Sequence, residues 1–174
     1  MTEPTSRGAT GPARRALGWA VRLSVVPRLT APDVACWVVK SNRAPTLLVP
    51  DWSPGDTALL SRCVRPSYRL ALMRPGQPCL LWVSGRDRPG VHALGELTGE
   101  VAEDGSGPAV PVAFTLLEEP VPRAALLADP AGRDAEVLRM PAGSNPSWLS
   151  AAQYAAVLEL ADGDAGLSRA AART

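Results

Sequence analysis

Between residues 34 and 117 the apolar positions fall in short dense runs, not in the three-and-four spacing of long helices. Val34 to Val39 predicts a short buried strand with a β-branched end. Gln77 to Val83 is dense enough in apolar residues to be covered on both faces. Val91 to Val101 predicts a longer strand, "EDGSG" turns the chain, and Ala109 to Leu117 follows, which reads as a hairpin. "RAPTLLVPDWSPGD", with prolines at 45, 50 and 54, reads as loop, and "SGRDRPG" as a turn. "RPSYRLALMRPG" predicts a short helix: Pro66 suits its first turn, Leu70 and Met73 form an i, i+3 pair, and Pro75-Gly76 ends it. "PVPRAALLADP" predicts another, bounded by proline. "RDAEVLRM" alternates weakly and "MPAGSNPSW" reads as irregular loop. Ser150 with Gln153 makes a capping box for "AAQYAAVLELA", the clearest helix in the chain. The sum is a small α+β domain: a partly closed β-barrel of about five to six strands flanked by short helices. It is expected over residues 33–162, after a flexible leader (1–32) and before a disordered tail (163–174). The leader has Arg14 and Arg15 ahead of an apolar stretch, but Arg22 and Pro27 interrupt it, so it makes a poor signal peptide.

One stretch breaks the pattern. In "WVVKSNRAPTLLVPDWS" an apolar strand runs straight into Lys40, Ser41 and Asn42, and an isolated Trp52 with Ser53 lies beyond. A core needs no such polar cluster, whereas a pocket for a flat, hydrogen-bonding ligand does. Trp52 sits among Pro50, Asp51, Ser53 and Pro54 with no periodic apolar neighbour, so it is expected to wall a ligand. Lys40 is the only lysine in an arginine-rich chain, which marks a place where a compact charge fits better than a planar fork.

Composition narrows the function classes. The net charge is +1, so no global basic field announces nucleic acid. The charge is unevenly placed, however. Thr57 to Arg86 holds Arg62, Arg65, Arg69, Arg74 and Arg86 without an acid, while the acids crowd into Glu96 to Glu136. Either one part of the fold is positive and another negative, or folding mixes the two. Cys36, Cys63 and Cys79 are odd in number and far apart, which argues against a disulfide framework or a zinc site and suits a cytoplasmic location. No apolar run is long enough to span a membrane.

Catalytic signatures are missing. A Ser/His/Asp triad would need His92, the only histidine, which lies inside the strand-like "GVHALGEL". There is no GxSxG elbow, no HExxH and no glycine-rich phosphate loop, and so no catalytic set, metal set or cofactor is expected. A binding role fits better. Five tryptophans stand against one phenylalanine, and aromatic planes stack on bases. Trp37 and Trp82 lie in apolar runs and read as core, and Trp148 as a staple ahead of the Ser150 cap. Asn42, Ser41, Ser53 and Ser84 could read a base edge, and Arg62, Arg65, Arg69, Arg74 and Arg86 could hold phosphates.

"CWVVKSN", a tryptophan about ten residues on, then "VRPSYRLALMRPGQPCLLWVSGRDRPGVHALGELTGEV" resembles an EVE domain of the PUA-like superfamily. "EEPVPRAALLADP" and "GSNPSWLSAAQYAAVLEL" resemble that family's later helix and its C-terminal loop and helix, so the likeness covers about residues 34–161. "KSN" followed by "WS" is also similar to the related YTH domains, which read N6-methyladenine in RNA. The resemblance implies a non-catalytic reader of a modified base in DNA or RNA, held in an aromatic pocket. It implies that Lys40, Ser41 and Asn42 line the pocket, with Trp52 as a wall and Ser53 beside it. Tyr68 falls near the pocket in a stretch that retains only "VRPSYR" of the longer family signature. Ser84, Gly85, Pro89 and Gly90 would form the rim, and Ser144 and Asn145 the loop at the same mouth. The further cage tryptophan of YTH domains is absent here, which leaves either Tyr68 or Trp82 as the second wall or a half-open pocket. Two rivals remain: an amidohydrolase on modified nucleosides, as in the related ASCH domains, with Lys40 and Glu96 as its groups, and a module that binds a protein partner through the acidic half.

Overall fold

A computed structural model of the chain describes residues 28–143 and 145–171. The expected leader, up to residue 27, and Ser144 lie outside the described residues. The strands are β1 (Cys36–Ser41), β2 (Thr57–Cys63), β3 (Pro78–Val83), β4 (Gly90–Leu97), β5 (Ala102–Glu103), β6 (Pro108–Pro122) and β7 (Ser147–Leu149). The helices are α1 (Pro45–Leu48), α2 (Arg123–Ala128), α3 (Glu136–Arg139) and α4 (Ala151–Ala171). All seven strands join one mixed sheet in the order β2-β6-β4-β3-β1-β7, with β5 also on β6. Only the β1–β3 pair is parallel.

The dense apolar runs are covered on both faces, as their composition requires. Side chains alternate across a strand, so Trp37 and Val39 of β1 and Cys79 and Leu81 of β3 join one core cluster, which also holds Val110, Val112 and Phe114 of β6. Cys36, Val38, Leu80 and Trp82 point the other way, into a second cluster with Leu126 of α2, Val137 and Leu138 of α3, and Val157 of α4. His92 is 7% exposed, and its Nε2 lies 2.7 Å from the Arg88 carbonyl oxygen. Burial holds its pKa below the usual histidine value.

Several elements differ from the expectation. β2 was hidden because its apolar pattern contradicts its pleat: Leu59 points outward, 77% exposed, while Arg62 is on the more covered side. β7 has only three residues, too few to show a period. Part of the expected loop at residues 44–49 forms one turn of helix, α1, opened by Pro45. The weak alternation of "RDAEVLRM" is the single turn α3, which buries Val137 and Leu138. The helix expected at "RPSYRLALMRPG" is a 3₁₀ turn over Tyr68–Leu72. α4 continues past residue 162 to Ala171.

The sequence-level charge separation is partly folded away. Arg69–Glu136 (2.6 Å) and Arg74–Glu100 (3.9 Å) join the basic stretch to the acidic one, and Arg88, just beyond the basic stretch, pairs with Glu119 (2.6 Å). Arg62 and Arg65 make no ion pair among the described residues. No helix among the described residues is long and apolar enough to cross a membrane.

A candidate nucleic-acid groove at the β1–β2 seam

The sheet ladder does not close. β7 stops opposite Val38, so the outer edge of β1 at Lys40 has no strand beside it. The gap is filled by a side chain. Lys40 N–H donates to Asn145 Oδ1 at 3.0 Å, and Asn145 Nδ2 donates to the Cys63 carbonyl at 2.8 Å. Arg65 N–H donates to the Asn145 carbonyl at 2.7 Å, and Arg62 Nη2 donates to the Lys40 carbonyl at 3.4 Å. One asparagine thus stands in for a ladder between the end of β1 and the end of β2, and the sheet is stitched at this seam without being closed by a strand pair.

An open groove of about 500 Å³ lies over the seam. Of the residues singled out in the sequence, Lys40, Ser41, Asn42, Ser84 and Asn145 line it, together with Ser61, Arg62, Cys63, Val64, Arg65 and the loop Pro141, Ala142, Gly143. Arg62 and Arg65 were expected on phosphates, and the structure sets them beside the polar cluster. Ser61, Cys63, Val64 and the loop residues were missed because they come from the strand that the pattern hides and from a loop with no period.

Lys40 does something other than point at a ligand. Its ammonium donates to the carbonyls of Gly143 (3.1 Å) and Pro141 (3.4 Å) and so clamps the loop that forms the far wall. Burial pulls its pKa down, opposed by the nearby Glu136 and reinforced by Arg65 and Arg69. Ser41 Oγ is also occupied locally, donating to the Arg43 carbonyl and accepting from Arg43 N–H, each at 3.0 Å. Arg62 is different. Its Nε is the one buried side-chain nitrogen or oxygen among the described residues that lacks a hydrogen-bond partner. Burial lowers its pKa, with the neighbouring Cys63 opposing and Arg43 adding to the shift. The groove lining has three cations and no carboxylate. A guanidinium withdrawn from water with a free N–H suits an anionic oxygen.

The remaining expected site residues lie elsewhere. Trp52 is not a wall of the groove. It is 5% exposed, packs with Trp37 and Phe114, and donates from Nε1 to the Asp56 carbonyl at 2.9 Å. The prolines around it hid a core residue contributed by a loop. Ser53 is exposed and bonds the Asp51 carbonyl at 3.3 Å. Trp82 is 4% exposed in the second core cluster. Gly85, Pro89 and Gly90 do not line the groove. A side chain on Gly90 would clash with the Val121 carbonyl, so that glycine serves the approach of β6, and the Pro89 carbonyl accepts Arg123 N–H at the start of α2. Arg74 and Arg86 are exposed, Arg74 bonding the Met73 carbonyl at 2.7 Å.

Tyr68 and Arg69 belong to a second cleft of about 470 Å³, which Trp148 also lines. There Arg69 grips Glu136 in a two-point ion pair at 2.6 and 2.8 Å, and Ser147 Oγ donates to the same carboxylate at 2.6 Å. Burial pushes the Glu136 pKa up, but these hydrogen bonds and the charges of Arg69 and Lys40 outweigh it and hold the carboxyl below its usual value. Glu96 lines a third cleft with Tyr154, so Lys40 and Glu96 do not share a site. No group of three or more potential metal ligands occurs among the described residues.

No known family model matches the chain, and no curated protein does. Solved structures do. A protein from Leishmania major matches with a TM-score of 0.62 at 18% identity, over 77% of this chain and 98% of that one. The DUF55 domain of human thymocyte nuclear protein 1 matches with a TM-score of 0.54 at 19% identity, over 73% and 98%. Human THYN1 protein, solved in complex with DNA containing 5-methylcytosine, matches with a TM-score of 0.52 at 18% identity, over 72% and 96%. At these identities the likeness shows the fold alone: an α+β domain shared with the DUF55 domain.

Proposed function

We propose that this chain is a non-catalytic nucleic-acid-binding domain that recognises a modified base, with 5-methylcytosine in DNA as the first ligand to test. The observation that carries the reading is the unpartnered Arg62 Nε in a groove with three cations and no acid. A backbone phosphate oxygen would complete that guanidinium, with Arg65 beside it. Asn42, Ser61 and Ser84 supply amide and hydroxyl groups for a base edge, and Val64 and Ala142 supply apolar surface for a methyl group. The shared fold with a domain solved on 5-methylcytosine DNA supports the choice of ligand. RNA carrying a modified base is the alternative within the same chemistry. The cysteines of the described residues are free, in keeping with a reducing, cytoplasmic setting.

The test is fluorescence anisotropy with labelled oligonucleotides in matched pairs, single- and double-stranded, that differ only by 5-methylcytosine. Saturable binding that favours the methylated member and weakens steeply with salt supports the reading. Equal binding of both members removes base recognition, and no binding at low salt removes the nucleic-acid reading.

A further inference from the structure

The groove lacks an aromatic plane, yet one stands close by. The strap from Asn145 to Trp148 forms one wall of the groove at its first residue and lines the second cleft at its last. Three residues of chain span at most about 10 Å, so these positions lie within that distance of each other. The strap is pinned between the two sites: Asn145 by Lys40 and Cys63, the Pro146 carbonyl by Arg69 Nη1 at 3.3 Å, and Ser147 by Glu136. Trp148 is therefore held in place before any ligand arrives. Its ring is only partly buried against the core, and it lines the cleft. Tyr68, the other aromatic there, already carries the Arg28 guanidinium over its ring at 4.2 Å, and its hydroxyl accepts Leu29 N–H at 3.1 Å.

The charge of this cleft differs from that of the groove. Arg28, Arg69 and Arg139 are balanced by Asp33, Asp134 and Glu136. A phosphate gains nothing in a balanced site with three carboxylates, whereas a neutral heteroaromatic ring with donors and acceptors on its edge does. We propose that the cleft beside the groove is a stacking site for a second nucleobase, one that neighbours the nucleotide in the groove and lies on Trp148. The groove would take the phosphate and the modified base, and Trp148 would take the flanking base without regard to its identity, since every base has a π-face. This inference rests on the groove reading above.

The experiment is isothermal titration of the full chain with two probes: 5-methyl-2′-deoxycytidine 5′-monophosphate and a pentanucleotide with the same base at its centre. Versions of the pentanucleotide with one abasic flank, 5′ or 3′, remove a single base while keeping the phosphates. The wild-type chain should bind the intact pentanucleotide about tenfold more tightly than one of the two abasic versions, the loss expected for one stack. Trp148→Leu keeps apolar bulk against the core and should erase that difference without changing the affinity for the monophosphate. Trp148→Phe should restore most of it. If neither abasic flank matters, or the difference survives Trp148→Leu, the stacking site is overturned while the groove reading stands. If the monophosphate and the pentanucleotide both fail to bind the wild-type chain, the groove reading falls, and this inference with it.

Discussion

Asn145 completes Lys40: its Oδ1 accepts the Lys40 backbone N–H at 3.0 Å, at the point where β1 has run past the end of β7. Its Nδ2 then reaches across to the Cys63 carbonyl on β2. The groove exists because that one amide holds two strand ends apart by its own width. Replacing Asn145 with Ala leaves a backbone donor and a backbone acceptor without partners. Water can reach the exposed Cys63 carbonyl and part of the Lys40 site, so the expected loss is about 1 kcal/mol of folding stability, read from urea unfolding. Asn145→Asp keeps the acceptor toward Lys40 and loses the donor toward Cys63, so it should fall between wild type and Ala.

Arg62 should behave as a phosphate contact and Lys40 as a positioning residue. Arg62→Ala should weaken oligonucleotide binding and reduce the slope of log K against log salt by about one. The change in folding stability should be small, because the lost 3.4 Å hydrogen bond to the Lys40 carbonyl is offset by removal of a half-buried charge with an unsatisfied Nε. Anisotropy at several salt concentrations checks both points. Lys40→Met loses the clamp on the Pro141 and Gly143 carbonyls. It should raise amide exchange at Ala142 and Gly143 even without ligand.

Trp52 should fail the test of a ligand wall. As a core residue at 5% exposure, its replacement by Ala should cost about 3–5 kcal/mol of stability, measured by denaturant unfolding. If the variant kept its stability and lost only base discrimination, Trp52 would belong to the site after all.

The pH dependence follows from His92 and Glu136. Burial lowers the pKa of His92 in the fold, so the fold favours the neutral ring. Stability is full above the unfolded histidine value, near 6.5, and falls as the pH drops from there through the lower folded value. Glu136 is likewise held below its ordinary value, so its contribution is present above the usual carboxylate range and is lost as the pH falls through its folded pKa. Thermal melts from pH 8 to pH 3 should show both declines, and His92→Gln should remove the upper one.

How much of this was legible depends on what each residue answers to. β1 and β3 are buried on both faces, so their apolar density is enough to mark them. The polar end of β1 was legible for the same reason: Lys40, Ser41 and Asn42 break a pattern that burial would have kept apolar, and they line the groove. β2 was illegible because an edge strand over a groove puts Leu59 outside and Arg62 on the covered side, the reverse of the usual code. Trp52 misled because proline and aspartate around it advertise a surface loop, whereas a loop that folds back can deliver one large side chain to the core. Asn145 was placed at the mouth, but its bridging role depends on contacts 105 and 82 residues away, which no local spacing encodes.

The most direct test of the groove is a map of backbone amide shifts by NMR as a single-stranded oligonucleotide with one central 5-methylcytosine is added. The groove account predicts that the largest changes fall on residues 40–42, 61–65, 84 and 142–145, with those at 61–65 reduced in Arg62→Ala. Changes centred on the cleft that contains Glu96 and Tyr154, with residues 40–42 and 61–65 unmoved, would contradict it.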